Sequence, residues 1–553
     1  MKICAEAFDP SEISFSCGKY AFQLISCADF IVSPMKNMSC DQVEMRPAGF
    51  LFLHRPILWF LAAFLAVCAA FVGNASRGLM ETTEGRYAEC AREMVETGNY
   101  LEPTLNYVPH WTKPPMAYWS TAAGIKILGN TEVGVRLASG LAFLGTVVLT
   151  AMMAWRLWGE RAAFLAFVVY ISSVLPVLGA TMLSTDMLLT WWETLAVALY
   201  LFWAFPGVPL RSDGQDHSEP LADWRIHLCW AAFGLAFLTK GPPALLPLLC
   251  LLLWHWWRFR SLRIFSLPGL ILFSVCAFSW FGLMTWKHPG LLSYYLLEEI
   301  AGRVATDVFD RNPEWYSPFI IYAPLLILGQ AHWLWILWQR RARWHGLGFM
   351  ERSIRIFLLL WFFLPLLVFC LSKSRLPLYI LPLSVPLVLF LTFFLNCSIG
   401  AHMRSVLFTC ATAVFVLCVM RWISGVLPLP ENMRHLAEIV RQEEAVRPAP
   451  LTGLLTTPAY GLQFYMRKEM NWLEDRGGKE ETLRGYLAGL KTPERLVIKE
   501  KYTALVHLLC ARARVRVTER LAGEYGIFYL EPEVARSSVG EGGTGVPEAS
   551  TVH

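Results

Sequence analysis

Charge is scarce in this sequence. Only 16% of its 553 residues are Asp, Glu, Lys or Arg, against 55% hydrophobic and 14% aromatic. That balance excludes an ordinary soluble globule. The 48 basic and 43 acidic residues leave a net charge of +5, small for this length. The basic residues sit beside apolar segments, as membrane topology requires, so no nucleic-acid partner is implied. Metal-type cysteine spacing is missing as well: there is no Cys-x-x-Cys and no Cys/His pattern. Cys68, Cys229, Cys250, Cys276, Cys370, Cys410 and Cys418 fall inside apolar runs, where thiols act as small apolar side chains. Internal repeats are not evident. Residues 1–50, with Cys4, Cys17, Cys27 and Cys40, have mixed polarity and no long apolar core, so they form neither a clean signal peptide nor a span. They read as a disordered leader or an over-extended start, with Met45 the more natural first residue.

What the sequence does have is apolar runs of membrane-spanning length, from Pro56 to Ile423, and a mean hydropathy of +0.43. They predict an all-α polytopic membrane protein over residues 51–424, with about eleven spans and as many as thirteen. The expected spans lie near 56–75, 132–156, 161–181, 184–205, 225–239, 241–257, 266–286, 316–338, 356–371, 377–395 and 405–423. With the N-terminus in the cytoplasm, the arginines near 156–161, 258–263, 340–355 and 404 all fall on the inner side. The outer side then collects the 76–131 loop, Asp186, Lys240, the 287–315 loop, Lys373, Arg375 and everything after Ser424. Residues 425–535 read as a small α/β domain: LTGLLTT, ARVRVTERL and EYGIFYLEP as strands, 432–446 and 503–511 as helices. Residues 536–553 read as a disordered tail.

The most informative stretch is 76–131. A run with helical apolar spacing (Tyr87, Ala91, Met94, Val95) starts at Glu84 and stops near Gly98-Asn99. It predicts a helix lying on the membrane surface with its charged face to water. Lys113-Pro114-Pro115 then fixes an extended backbone before the chain re-enters apolar sequence. The plainer reading of this stretch is an interfacial loop whose aromatics and charges snorkel.

Further candidates lie on the same face. Asp186 in TMLSTDMLLTWW and Lys240 in LAFLTKGPPALLP stand at the mouths of spans, where an ionised group needs a partner or a watery cavity. The bland alternative for both is a helix-end residue at headgroup level. Lys373 and Arg375 occupy a short outer loop that should avoid basic residues, which suggests an anionic ligand. Glu298 and Glu299 follow an amphipathic aromatic stretch. Together these residues describe an outer pocket of acids and bases over a lipid-accessible cleft, suited to a phosphate-linked lipid and a hydroxyl acceptor.

TTEGRYAECAREMVETGNYLEPTLNYVPHWTKPPMAYW resembles the first outer loop of the lipid A aminoarabinose transferases and of the wider protein O-mannosyltransferase-like superfamily, GT-C glycosyltransferases that use polyprenyl-phosphate sugars. The resemblance continues in order through NTEVGVRLASGL, LSTDMLLTWW, LAFLTKGPPALLP, HPGLLSYYLLEEIAGR, NPEWYSPFIIYAP and LSKSRLPLYILPL, covering roughly residues 75 to 390. It implies a GT-C fold with juxtamembrane helices in the outer loop. It also implies a polyprenyl-phosphate sugar donor, a lipid, glycan or protein acceptor, and a place in the bacterial inner membrane with the site facing the periplasm. Arg86, Tyr87 and Lys113 match positions of the family's loop, Lys113 as a donor-phosphate ligand, and Asp186 matches the acid at the mouth of a later span. The sequence departs from the family at three places. The Asp-Glu pair reads Thr83-Glu84, the Phe-Glu-Lys-Pro-Pro run reads Trp111-Thr112-Lys113-Pro114-Pro115, and the Glu-His pair reads Glu298-Glu299. A metal-binding Glu and His are thereby absent. No cofactor is fixed; a divalent metal is the candidate, with Glu299 as a ligand suited to a hard cation.

A polyprenyl phosphate is already a good leaving group, so two demands remain. A carboxylate must take the acceptor's proton, and cations must stabilise charge on the departing phosphate. Glu84 is assigned the first role, with Asp186 and Glu81 as rivals. Lys113, Arg86 and Arg375 are assigned the second, and Tyr87, Lys240 and Lys373 are expected to line the substrate pocket. The rival class is a lipid or glycan transporter, because intramembrane Asp and Lys also mark transport paths. The missing repeat halves and the one-sided polar elements argue against it.

Overall fold

A computed structural model describes residues 56–81, 83–205, 221–297, 312–341, 350–398, 403–427, 429, 432–455, 458–475 and 478–533. The leader, the tail and Glu299 lie outside the described residues.

In chain order the first part holds α1 (Pro56–Phe71), α2 (Thr83–Thr97), α3 (Met116–Leu128), α4 (Glu132–Trp158), α5 (Glu160–Ser172), α6 (Val174–Thr181) and α7 (Asp186–Ala204). Then come α8 (Trp224–Lys240), α9 (Leu246–Phe259) and α10 (Leu267–Lys287). The last spans are α11 (Ser317–Gln339), α12 (Arg352–Leu371), α13 (Pro377–Ser398) and α14 (Met403–Val426). Each expected apolar stretch is helical. Among the described residues seven helices are long and apolar enough to cross a membrane, or eight if α5 and α6, bent by 61°, form one span. The expectation of eleven to thirteen differs because α1, α8 and α9 have only 16, 17 and 14 residues, at or below the about 17–25 that a bilayer requires. Gly241 (φ +77°) followed by Pro242-Pro243 breaks the run between α8 and α9, since that φ suits glycine and proline cannot donate to a continuing helix.

Local signals place the helix ends. Thr131 caps α4 by accepting from the Gly134 amide, and Gly159 (φ +86°) ends it. Gly98 (φ +73°) follows the last residue of α2, as its position predicts. The Pro-bearing segment after α2 forms a hairpin of β1 (Thr104–Leu105) and β2 (Val108–Pro109). Regular helix resumes at Met116, directly after Pro115, within the stretch expected to be extended.

The C-terminal part is a small α/β domain of α15 (Met433–Val446), α16 (Tyr460–Met466), α17 (Lys479–Ala488) and α18 (Thr503–Ala513) around a five-stranded sheet. Its strands are β3 (Leu451–Leu454), β4 (Asn471–Trp472), β5 (Glu494–Lys499), β6 (Val515–Ala522) and β7 (Tyr525–Pro532), in the order β4-β3-β5-β7-β6. β3 runs parallel to β4 and β5, and β7 antiparallel to β5 and β6. The central strand β5 is absent from the sequence reading: Arg495-Leu-Val-Ile is a short buried run without alternation, which periodicity alone cannot separate from helix. One face of the sheet packs on α15 through Met433, Leu436 and Val440, the other on α17 and α18 through Leu483, Val506 and Leu509.

This domain overturns one expectation. α2 does not turn a charged face to water: Glu84, Glu89, Arg92 and Glu93 are all buried. α16 covers one side and the β1–β2 hairpin another. At the crossing a Cβ on Gly461 would stand 2.7 Å from Glu81 Oε1 and 2.9 Å from Met433, so only glycine permits this approach. The buried charges are compensated internally. Arg92 grips Glu89 at 2.7 and 2.8 Å and Glu96 at 2.6 Å, while Glu93 accepts from the Thr104 hydroxyl and the Tyr107 amide.

Candidate active site

Five donors converge on Glu84. Arg136 of α4 reaches it at 2.7 and 3.0 Å, Arg77 at 3.0 Å, the Met80 amide at 3.1 Å and the Leu183 amide at 2.9 Å. Arg136 is itself fully buried and also donates to the carbonyls of Asn74, Arg77 and Gly78. Burial alone would raise the Glu84 carboxyl, but the charges of Arg136 and Arg77 prevail and hold it below the usual range. This hub ties the segment between α1 and α2 to α4 and to the turn before α7. The sequence held a signal for it: Arg136, in NTEVGVRLASGL, is a cation entering an apolar run and so needs a buried partner.

The hub fixes where α7 begins, and with it Asp186. Asp186 pairs with Lys240 at the end of α8, and the Lys240 ammonium lies 4.2 Å from the centre of the Tyr379 ring. Both charges are nearly buried, so each supplies the partner that the apolar setting demands. Tyr87, projecting from α2, lies within electrostatic reach of Asp186, Tyr379 and Arg86. Its ring is 5.4 Å from that of Tyr118 on α3. Tyr322 of α11 senses Asp186, Tyr379 and Arg375. The structure thus brings Arg86, Tyr87, Asp186, Lys240 and Arg375 into one neighbourhood at one mouth of the bundle.

The remaining candidates differ in how far they are already engaged. Glu81 accepts from the Gly461 amide through one oxygen, and its other oxygen is buried without a partner. Burial pushes its carboxyl up to about 7, against the lowering pull of the Gly461 amide and Arg86. Arg86 is half-buried and makes no hydrogen bond or ion pair among the described residues. Lys113 is half-buried and its ammonium donates to the Thr112 carbonyl at 2.9 Å, while Thr112 meets His110 at 2.7 Å. Arg375 is buried and spends its guanidinium on the carbonyls of Asn312, Glu314 and Cys370, at 2.7 to 3.0 Å, so it braces the foot of α11. Lys373 is exposed on the neighbouring turn. Among the described residues no three His, Cys, Asp or Glu side chains gather in a way that could hold a metal ion.

The comparisons agree with this architecture. The family model of dolichyl-phosphate-mannose-protein mannosyltransferases matches residues 57–295. An undecaprenyl phosphate-alpha-4-amino-4-deoxy-L-arabinose arabinosyl transferase of Pseudomonas fluorescens is 31% identical over 346 residues, 60% of this chain and 59% of that relative. The transferase of Yersinia enterocolitica is 30% identical over 383 residues, 66% of this chain and 65% of its own length. The chain therefore spans about three fifths of the length of the curated relatives it matches. The crystal structure of ArnT from Cupriavidus metallidurans bound to undecaprenyl phosphate superposes with a TM-score of 0.68 at 20% identity, over 87% of this chain and 99% of that one. That superposition shows a shared fold, and the chain is similar in sequence to the aminoarabinose transferases and, over residues 57–295, to the protein mannosyltransferases.

Proposed function

We propose that the protein is a membrane glycosyltransferase. It moves a sugar from a polyprenyl-phosphate donor to a hydroxyl or phosphate of a lipid or glycan acceptor, most like a lipid A aminoarabinose transferase. The observation that carries this reading is the gathering at one mouth of the bundle of Arg86, which makes no hydrogen bond or ion pair among the described residues, with Tyr87 and the buried Asp186–Lys240 pair. The relatives' names, each specifying an undecaprenyl-phosphate donor, point the same way.

In the step itself the acceptor oxygen bonds to the anomeric carbon, the bond from that carbon to the phosphate oxygen breaks, and the polyprenyl phosphate leaves with the electron pair. The acceptor's proton goes to a carboxylate. Glu84 has its lone pairs committed to two guanidiniums and two amides, and Asp186 is neutralised by Lys240. Glu81 keeps an oxygen free of donors and titrates near neutrality, which suits a proton acceptor. Arg86, the unengaged guanidinium, and Lys113 meet the departing phosphate. The Asp186–Lys240 pair with Tyr379 forms the floor. No step is assigned to a metal.

A proton acceptor with its carboxyl near 7 works in the ionised form, so turnover should rise as pH increases through about 7 and level off above it. Glu81→Gln should remove that limb of the profile. A limb that persists in Glu81→Gln would move the role to Asp186.

The test of the function is consumption of a polyprenyl-phosphate sugar by the purified protein in detergent, with release of polyprenyl phosphate and a mass gain on the acceptor. Detergent abolishes any membrane gradient, so turnover there distinguishes a transferase from a transporter. Movement of the intact donor across proteoliposomes, without sugar release, would overturn the proposal.

The proposed location is the bacterial inner membrane with the site on the periplasmic face, supported by the clustering of arginines in alternate loops. Reporter fusions after His255 and Tyr460 should give cytoplasmic and periplasmic signals respectively. The reverse pattern would place the site in the cytoplasm.

A further inference from the structure

The end of the bundle opposite the outer mouth holds a cavity that the transfer reaction does not use. α14 runs toward the outer segment: its start at Met403 is at the far side, and Gly425 near its end lies against Ser76. α11 runs the opposite way, from the Arg375-braced turn down to Gln339. Between the last two turns of α11 and the first two of α14 lies a cavity of about 270 Å³. His332, Gln339 and Arg340 line it from one helix, Ser405 and Thr409 from the other. Positions 332, 336 and 339–340 follow the three-to-four spacing of one helical face, as do 405 and 409.

Such a lining is anomalous for a surface that faces hydrocarbon, where polar groups are expensive. It contains no acid, so a cation is not its ligand. Arg340 has no hydrogen-bonding or ionic side-chain partner among the described residues. Its level is that of the bilayer interface: Trp335 and Trp338 stack at 4.9 Å, both largely exposed, and Arg341 lies 4.4 Å from the Trp338 ring. From Arg340 to His332 the cavity descends eight residues, about 12 Å at the helical rise. Ile336 and Val406 supply the apolar part of the lining.

We propose that this cavity binds the headgroup of an anionic phosphoglyceride of the adjoining leaflet. The phosphodiester pairs with Arg340, headgroup hydroxyls meet Gln339, Ser405 and Thr409, and the acyl chains leave past Ile336 and Val406. One uncompensated guanidinium matches one phosphodiester charge. The hydroxyl and amide donors below it favour a headgroup that carries hydroxyls, and basic pockets between helices at this level are a known mode of lipid capture. The proposal is independent of the transfer reaction, since the outer mouth contributes nothing to it.

The experiment is lipid retention by native mass spectrometry. Full-length protein is exchanged into equal parts of phosphatidylglycerol, phosphatidylcholine and undecaprenyl phosphate, then stripped with detergent. The wild type should retain one phosphatidylglycerol in preference to the other two. Arg340→Gln should weaken that retention about tenfold to hundredfold, as expected for losing one charge-assisted contact. Thr409→Val should weaken it less. Arg404→Gln, an exposed charge on the same side that does not line the cavity, should leave it unchanged. Equal retention of phosphatidylcholine, or an equal loss in Arg404→Gln, would show general surface attraction and overturn the site. Preferred retention of undecaprenyl phosphate would reassign the cavity to the polyprenyl lipid and overturn the phosphoglyceride. If Arg340→Gln fails to fold, the wild-type competition and Thr409→Val decide alone.

Discussion

Lys113→Ala should lower turnover by about two to three orders of magnitude, the cost typical of removing one pre-organised charge donor from a transition-state site. The residue follows the β1–β2 hairpin and precedes Pro114-Pro115, both buried, so its backbone is set before any substrate arrives. Its ammonium already donates to the Thr112 carbonyl, which orients the side chain. Lys113→Arg should restore activity only in part, because a planar fork does not replace a compact ammonium. Expression and thermal unfolding should be nearly unchanged in both variants, since a half-exposed loop side chain contributes little packing. Lys126, whose ammonium lies 4.6 Å from the Tyr100 ring, is the control, and its replacement should be mild. Near-normal turnover by well-expressed Lys113→Ala would transfer the phosphate contact to Arg86. Arg375, the alternative that the sequence suggests, has three carbonyls holding its guanidinium and is the weaker substitute.

The largest effect on stability is expected at Glu84. Glu84→Gln keeps the shape but removes the charge facing Arg136 and Arg77, leaving two guanidiniums in a site where Arg136 is 0% and Arg77 13% exposed. Removing one partner of a buried ion pair costs about 3–5 kcal/mol, because the remaining charge is stranded. The unfolding midpoint in detergent should fall markedly, and activity should fall with it, since the same hub seats the turn before Asp186 through Leu183. Replacing both sides, as in Glu84→Gln with Arg136→Met, should cost less than the sum of the single changes, which a double-mutant cycle would read directly. The pH dependence follows from the lowered carboxyl. The hub's stability is complete above the ordinary carboxylate range and is lost as pH falls through the depressed folded-state value. An unchanged midpoint in Glu84→Gln would mean that the arginines find other acceptors.

The sequence by itself determined the class of the protein. Apolar run length sets the helices, because within a continuous apolar run a helix satisfies every backbone group inside the segment itself. Gly98, Gly159 and Gly241 mark helix ends because of the backbone angles they permit. The ordered motifs from 75 to 390 carried the resemblance and marked the residues that gather at the mouth of the bundle. Tertiary structure alone decided which acid is free. Glu81 and Glu84 lie three residues apart with the same side chain. One meets the nearby Arg77 and Arg136, 52 residues onward, and the other meets a glycine amide 380 residues onward. A carboxylate's role follows from its partners and its burial. Those come from packing between elements far apart in sequence, which no local spacing encodes. The same reason explains α2: its charges look like a solvated face until the C-terminal domain is seen to cover it.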